Sequence, residues 1–257
     1  MKPRAKLYTS PHSTGGAASV LVNSGKALVP NVATTETSAG EGEGPIPDIV
    51  IRRLPIYVRT LRALLDQEIE SVSSEELAEL IGVTAAQIRR DLAYFGKFGK
   101  QGKGYDTRFL AQTVGRILRL DTVWPVALIG LGHLGRAIAN YKGFTPSSFE
   151  IVALFDRRSR HIGDVVNDME IQPEDRLVET LRAQEIKIGI IATPKVDAQE
   201  AADLLVAGGV QAILNYAPVI LKVPDYVTVR EIDPVGALQS MTYYINATED
   251  EDAIEAV

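Results

Sequence analysis

The sequence predicts an α/β protein: an N-terminal winged helix-turn-helix domain, then a Rossmann-type doubly wound parallel-sheet domain, then a terminal helix. Three observations predict it. Two helix-capping patterns, Ser73 with Glu76 and Thr84 with Gln87, stand on either side of Gly82. A lysine- and glycine-rich stretch, "GKFGKQGKGYD", follows them. Beyond Trp124–Pro125 short apolar runs alternate with helical stretches, the pattern of a sheet covered on both faces.

Residues 1–46 are rich in Ser, Thr, Gly and Ala, end in "SAGEGEGPIP", and show no sustained period of two or 3.6. They are read as a disordered tail. From Leu54, apolar residues at 54, 57, 58, 61, 64 and 65 keep the rhythm of an amphipathic helix. Ser73 caps the next helix in a box with Glu76, and Leu77, Leu80 and Ile81 follow. Gly82 ends that helix, and a second box at Thr84 and Gln87 opens another whose inner face is Ile88, Leu92 and Phe95. The lysine-glycine stretch reads as a hairpin or wing. Residues 107–121 read as a linking helix with Leu110, Val114, Ile117 and Leu118 on one side. Strands are expected at "VALIG", "IVALFD", "IKIGIIA", "QAILNYA" and "YVTVREI", and Asp233 and Pro234 start a last helix. The expected divisions are thus 1–46, 47–122, 123–232 and 233–257.

Gly130, Gly132 and Gly135 have the G-x-G-x-x-G spacing between a strand and a helix, with Leu131, His133 and Leu134 between them. The first glycine permits a tight turn, the second lets backbone approach a pyrophosphate, and the third lets helix and strand pack closely. Asp156 ends the next strand, 21 residues after Gly135, where a carboxylate accepts both hydroxyls of an adenosine ribose. The motif in this context predicts a dinucleotide site. Arg157, Arg158 and Arg160 stand beside Asp156, and arginines at that corner can hold a 2′-phosphate, whereas Asp156 repels one. NAD(H) is therefore favoured over NADP(H). His133 is read as a packing or phosphate-side residue.

On the helix from Thr84, the face opposite Ile88, Leu92 and Phe95 carries Ala86, Arg89, Arg90 and Ala93, flanked by Gln87 and Tyr94. Small residues beside arginines and an amide suit a major groove, where Arg pairs with guanine and Gln with adenine. Lys97, Lys100 and Lys103 then reach phosphates or a minor groove of double-stranded DNA.

Charge agrees with that division of labour. The net charge is −6, yet residues 48–120 carry +3 and residues 121–257 carry −10, and residues 87–108 hold six basic against two acidic side chains. One region faces a polyanion. The absence of cysteine excludes a disulfide framework, a thiolate zinc site and a cysteine nucleophile, and fits a reducing cytoplasm. His12 and His161 have no metal partners at ligand spacing, so no metal is expected. No apolar run reaches the ~18 residues of a membrane span, so neither anchor nor signal peptide is expected.

The runs "RLPIYVRTL", "VSSEELAELIGVTAAQIRRDLAYFGKFGKQGKGY", "GLGHLGRAIANYKGF", "ALFD", "ILNYAPV", "VPDYVTV" and "MTYYI" together resemble the Rex family of redox-sensing transcriptional repressors, over about residues 46–246 in order. The resemblance implies a homodimer with swapped C-terminal helices, bound to operators at low NADH and released by NADH, with NAD+ opposing release. It places the recognition helix at 84–95, the wing at 98–105, the phosphate loop at 130–135, and the adenosine ribose on Asp156. It puts Tyr141 near the nicotinamide, Ala192, Thr193 and Pro194 with Asn215, Tyr216, Ala217 and Pro218 along the cofactor pocket, and Arg59 with Asp233 in a link from the first helix to the partner's cofactor domain. The family differs at His133, at Thr193 and at Arg157–Arg158, where it carries a second acidic residue. No catalytic residue stands out, so the chain is read as a non-enzyme. An NAD-dependent oxidoreductase with an accessory helical domain, and a repressor sensing NADPH, coenzyme A or another nucleotide, are the alternatives.

Overall fold

The computed structural model describes residues 46–100 and 104–255. The expected tail, up to residue 45, and Lys103 lie outside the described residues.

The first helix, α1 (Asp48–Asp66), buries Val50, Leu54, Tyr57, Val58, Leu61 and Leu64 on one face. Pro55 lies within it at an exposed position. β1 (Ser71–Val72), unforeseen in the sequence, leads into α2 (Ser74–Ile81), whose capping box forms in full: the Ser73 hydroxyl accepts from the Glu76 N–H and the Glu76 carboxylate accepts from the Ser73 N–H. The second box forms by half. Thr84 accepts from the Gln87 N–H at 3.1 Å and starts α3 (Ala85–Ala93), but the Gln87 amide donates forward to Asp91 at 2.6 Å instead of back to Thr84. A buried carboxylate one turn on is the stronger acceptor. β2 (Gly99–Lys100) and β3 (Gly104–Asp106) make the wing, and β3 also pairs with β1, giving a three-stranded antiparallel sheet. Asp106 caps α4 (Thr107–Ile117), which is shorter than the expected linking helix.

The remaining strands form one sheet: β4 (Trp124–Ile129), β5 (Phe149–Asp156), β6 (Val165–Val166), β7 (Met169–Pro173), β8 (Ile188–Ile191), β9 (Ala212–Asn215) and β10 (Thr228–Glu231). Their order is β10-β9-β8-β4-β5-β7-β6, parallel throughout except for β6 against β7. The five foreseen strands are present, and the β6–β7 hairpin is additional. Without β6 this is the doubly wound order of a Rossmann sheet, with its reversal between β4 and β8.

The two faces explain the unbroken apolar runs. Ala127, Ile129, Ala153 and Phe155 pack under α6 (Leu177–Ala183) and α7 (Ala198–Ala207). Val126, Leu128, Leu154 and Ile171 pack on the other face, beside Ile138 of α5 (His133–Ala139). Each fully buried aliphatic side chain contributes about 1.5–3 kcal/mol. The core of the N-terminal head, built on Leu54, Tyr57, Leu61, Leu77, Ile88, Leu92 and Leu110, is separate from both. The chain ends in α8 (Pro234–Glu255), opened by Asp233, whose carboxylate accepts from the Val235 N–H at 3.0 Å. Val235, Leu238, Met241, Tyr243 and Tyr244 of α8 are exposed.

Candidate nucleotide site and nucleic-acid interface

The loop after β4 enters the crevice where the strand order reverses. Gly130 has φ +94°, a conformation that strains any L side chain, and an added Cβ would stand 2.7 Å from the Ala192 carbonyl. Gly135 brings α5 onto the loop: a Cβ there would stand 1.8 Å from the Gly130 carbonyl oxygen. Gly132 differs, since a Cβ would meet no protein atom within 4 Å. The fold does not require this glycine, so its bareness serves whatever approaches the loop. Gly132→Ala is expected to leave the melting temperature unchanged and to weaken dinucleotide binding by about tenfold, or about 1.4 kcal/mol, in an NADH fluorescence titration. Unchanged affinity would show that no phosphate rests on the loop.

Asp156, at the end of β5, is 4% exposed. Its Oδ2 accepts from the Leu131 N–H at 2.7 Å and from His161 Nδ1 at 2.9 Å, and its Oδ1 accepts from the Arg158 N–H at 2.8 Å. Burial pushes its pKa up, but these hydrogen bonds outweigh burial and hold the carboxyl below the ordinary carboxylate range. A carboxylate has about four acceptor directions, and three are in use. Asp156 lines the cleft with one acceptor direction open, at the place where the sequence expects the adenosine ribose. The Nε2 of His161 accepts from Arg160 Nε at 3.2 Å, which assigns the imidazole proton to Nδ1. His161 is thus an orienting residue that sequence spacing did not reveal.

Arg157 is clamped by three carboxylates: Glu174 at 3.0 Å, Asp197 at 2.8 Å and Glu200 at 2.7 Å. The Glu200 hydrogen bond leads in raising its pKa further above the ordinary arginine value. The Arg158 guanidinium has no partner among the described residues.

Gly130, Gly132, His133, Leu134, Asp156, Thr193 and Pro194 line one cleft of about 260 Å³, together with Arg157, Arg158, Glu174, Ala192 and Asp197. Leu131 is instead fully buried, and Gly135 lies under the loop. The Thr193 hydroxyl is buried and has no hydrogen-bond partner among the described residues. The remaining expected residues lie outside this cleft. Tyr141 is 63% exposed and meets Phe144 edge-on at 5.2 Å. Tyr216 is half-buried, and its pKa is pushed up by burial first and then by the charge of an ionised Tyr141. Asn215 is fully buried: it donates to the Val219 carbonyl and accepts from the Ala217 N–H, both at 2.9 Å. It shapes the turn that carries Ala217 and Pro218, using one of its two N–H donors and one of its two acceptor directions.

On the head, α3 exposes Ala86, Arg89, Arg90, Ala93 and Tyr94, as its periodicity predicts. Arg89 bonds to Ser74 at 2.6 Å and to Glu75 at 2.9 Å, whereas Arg90 has no partner among the described residues. Lys97 is exposed at the start of the wing, and Lys100 follows on β2. The half-buried Gln87 is drawn into a cluster absent from the sequence reading. Asp91, fully buried, accepts from Arg53 at 2.5 and 2.8 Å, from the Tyr57 hydroxyl at 2.6 Å and from Gln87. Burial pushes the Asp91 pKa up, and the bonds from Arg53, Tyr57 and Gln87 together carry it below the ordinary value. The cluster pins α3 to α1. Arg59 is exposed and unpaired within the described chain, and Asp233 is occupied in capping α8. Arg230 of β10 pairs with Asp48 at the start of α1.

Among the described residues no helix is long and apolar enough to cross a membrane, and no group of His, Cys, Asp and Glu could hold a metal ion.

Comparison with known proteins bears on both faces at once. Residues 45–93 match a family model described as a putative DNA-binding protein N-terminus, and residues 121–219 match one described as a CoA binding domain. The redox-sensing transcriptional repressor Rex of Chloroflexus aurantiacus is 56% identical over 199 residues, 77% of this chain and 94% of that protein. The chain belongs to the Rex family. Other Rex proteins extend the range: that of Pelotomaculum thermopropionicum is 44% identical over 77% of this chain and 93% of its own length, and that of Streptomyces avermitilis is 41% identical over 81% and 82%. Crystal structures of RSP, a Rex-family repressor, share the architecture. The complex with β-NAD+ and operator DNA has a TM-score of 0.76 at 39% identity and covers 83% of this chain and 99% of RSP. The complex with β-NADH has a TM-score of 0.75 at 38% identity, covering 82% and 100%.

Proposed function

We propose that this chain is a homodimeric, cytoplasmic repressor that binds operator DNA at low NADH and leaves it when NADH fills the cleft. The observation that carries the reading is the joining, in one chain, of a bare glycine loop at the sheet's reversal point to a helix-turn-helix whose outer face exposes Arg89, Arg90 and Tyr94. RSP, of the same architecture, has been crystallised with NAD+ on operator DNA and with NADH. The nucleotide is sensed, and no reaction is assigned to the site. The proposed domains are 47–122 for DNA, 123–232 for the nucleotide and 233–257 for dimerisation, the exposed apolar residues of α8 packing on a second copy. Arg90 is the reader of a base edge, Arg89 and Lys97 meet phosphates, and Arg59 and Asp233 pair between subunits in one of the two states.

A ligand shifts such an equilibrium only by its differential affinity for the two states. NADH and NAD+ differ at the nicotinamide, so the discriminating contact belongs to Tyr141. Tyr141→Phe is expected to blunt the NADH response while DNA binding without nucleotide persists, read by a mobility shift with NADH titrated in. An intact response would remove Tyr141 from the switch.

The direct test retains sheared genomic DNA on the immobilised protein and titrates NADH, NAD+ and NADPH at fixed salt, because salt alone changes such affinities. Elution of discrete fragments by NADH is the expected result. Failure to bind DNA, with steady oxidation of NADH by a small carbonyl compound, would replace this reading by an oxidoreductase.

A further inference from the structure

We infer that Glu75 sets the strength of the DNA interface: it competes with a DNA phosphate for Arg89, and so keeps the grip on operator within the range that NADH can undo. The inference rests on the reading of α3 as the recognition helix. Ser73, Ser74, Glu75, Arg89, Lys97 and Tyr105 stand on the walls of one open cleft of about 620 Å³, between the start of α2, the end of α3 and the wing. The two cations of this cleft differ. Lys97 has no partner among the described residues, whereas Arg89 Nη1 donates to the Glu75 carboxylate at 2.9 Å and to the Ser74 hydroxyl at 2.6 Å. Ser74 in turn donates to the other oxygen of Glu75 at 3.1 Å, which closes a ring of three side chains. The Arg89 hydrogen bond leads in holding the Glu75 pKa below its ordinary value, so this carboxylate is charged wherever the protein meets DNA. Arg89 and Glu75 keep 53% and 68% of their side chains exposed, and a pair so open to water is weak and exchangeable. A phosphate can therefore take the place of Glu75. The exchange gains little, because the displaced carboxylate gathers a cation from solution as the phosphate gives one up, and the counterion release that drives DNA binding is cancelled at this position. That restraint matters to a switch. A ligand's coupling usually changes an affinity by about 5–150-fold, so a repressor held much more tightly would stay on DNA when its ligand arrives.

The test compares Glu75→Gln with the wild type by fluorescence anisotropy on a labelled genomic fragment retained by the protein, across about 50–200 mM salt. Glu79→Gln is the control. Glu79 is exposed one turn further along α2, with no partner among the described residues, so its substitution makes the same change of charge away from Arg89. Glu75→Gln is expected to bind the fragment about three- to tenfold tighter, to steepen the salt slope by about one, and to raise by a similar factor the NADH concentration that releases half the DNA. The melting temperature and the NADH affinity of the free protein are expected to stay at their wild-type values. Failure of Glu75→Gln to raise the affinity or to steepen the slope, or an equal gain from Glu79→Gln, overturns the inference and leaves the sensor reading standing. A wild-type protein that binds no DNA overturns the two together.

Discussion

Replacing Asp91 by Ala is expected to cost the head about 3–5 kcal/mol, the penalty of removing one partner from a buried ion pair. Arg53 keeps only 20% of its side chain exposed, and the Tyr57 hydroxyl is inside the core, so water replaces the carboxylate poorly at the first and not at the second. Tyr57→Phe, which removes one hydrogen bond and retains the ring, is expected to cost about 1 kcal/mol. Thermal unfolding of the two variants checks the ranking, and equal small losses would mean that the charges are solvated. Acid acts in the same direction. Since folding depresses the Asp91 pKa, its contribution is complete above the unfolded carboxyl's value of about 3.9 and is lost as pH falls through the lower folded value. Because Asp91 also fixes α3 on α1, specific operator affinity should fall with it while NADH binding persists.

Gly135→Ala is the second large effect. A methyl 1.8 Å from the Gly130 carbonyl oxygen overlaps backbone that cannot swing aside, so α5 must lift from the loop. Overpacking of this kind costs about 3 kcal/mol. Unlike Gly132→Ala, it should lose stability and nucleotide binding together, which a melting curve and an NADH titration on the same sample distinguish. A wild-type melting temperature would mean that α5 has room the structure does not show.

The sequence makes legible what rests on local chemistry or on period. The box at Ser73 and Glu76, the inner face of α3 and the bare strands of the sheet are each written within a dozen residues. The glycine spacing locates the loop and Asp156, but not the donors that reach the carboxylate, because Leu131 lies 25 residues away in sequence. Asp91 is less visible still. A charge at that position reads as helix exterior, and Arg53, which makes it interior, is 38 residues distant. Two-residue strands such as β1 fall below any periodicity. The β6–β7 hairpin did carry a signal: Asn167 and Asp168, both at positive φ, are the turn residues a two-residue hairpin favours.

The apolar core of the head shares no residue with those of the sheet, and among the described residues Arg230 with Asp48 is the one ion pair that joins them. An exposed pair of this kind contributes about 0–1 kcal/mol. A change in how the head meets the sheet would therefore open neither core, which is the condition under which a ligand's small differential affinity can decide between two arrangements.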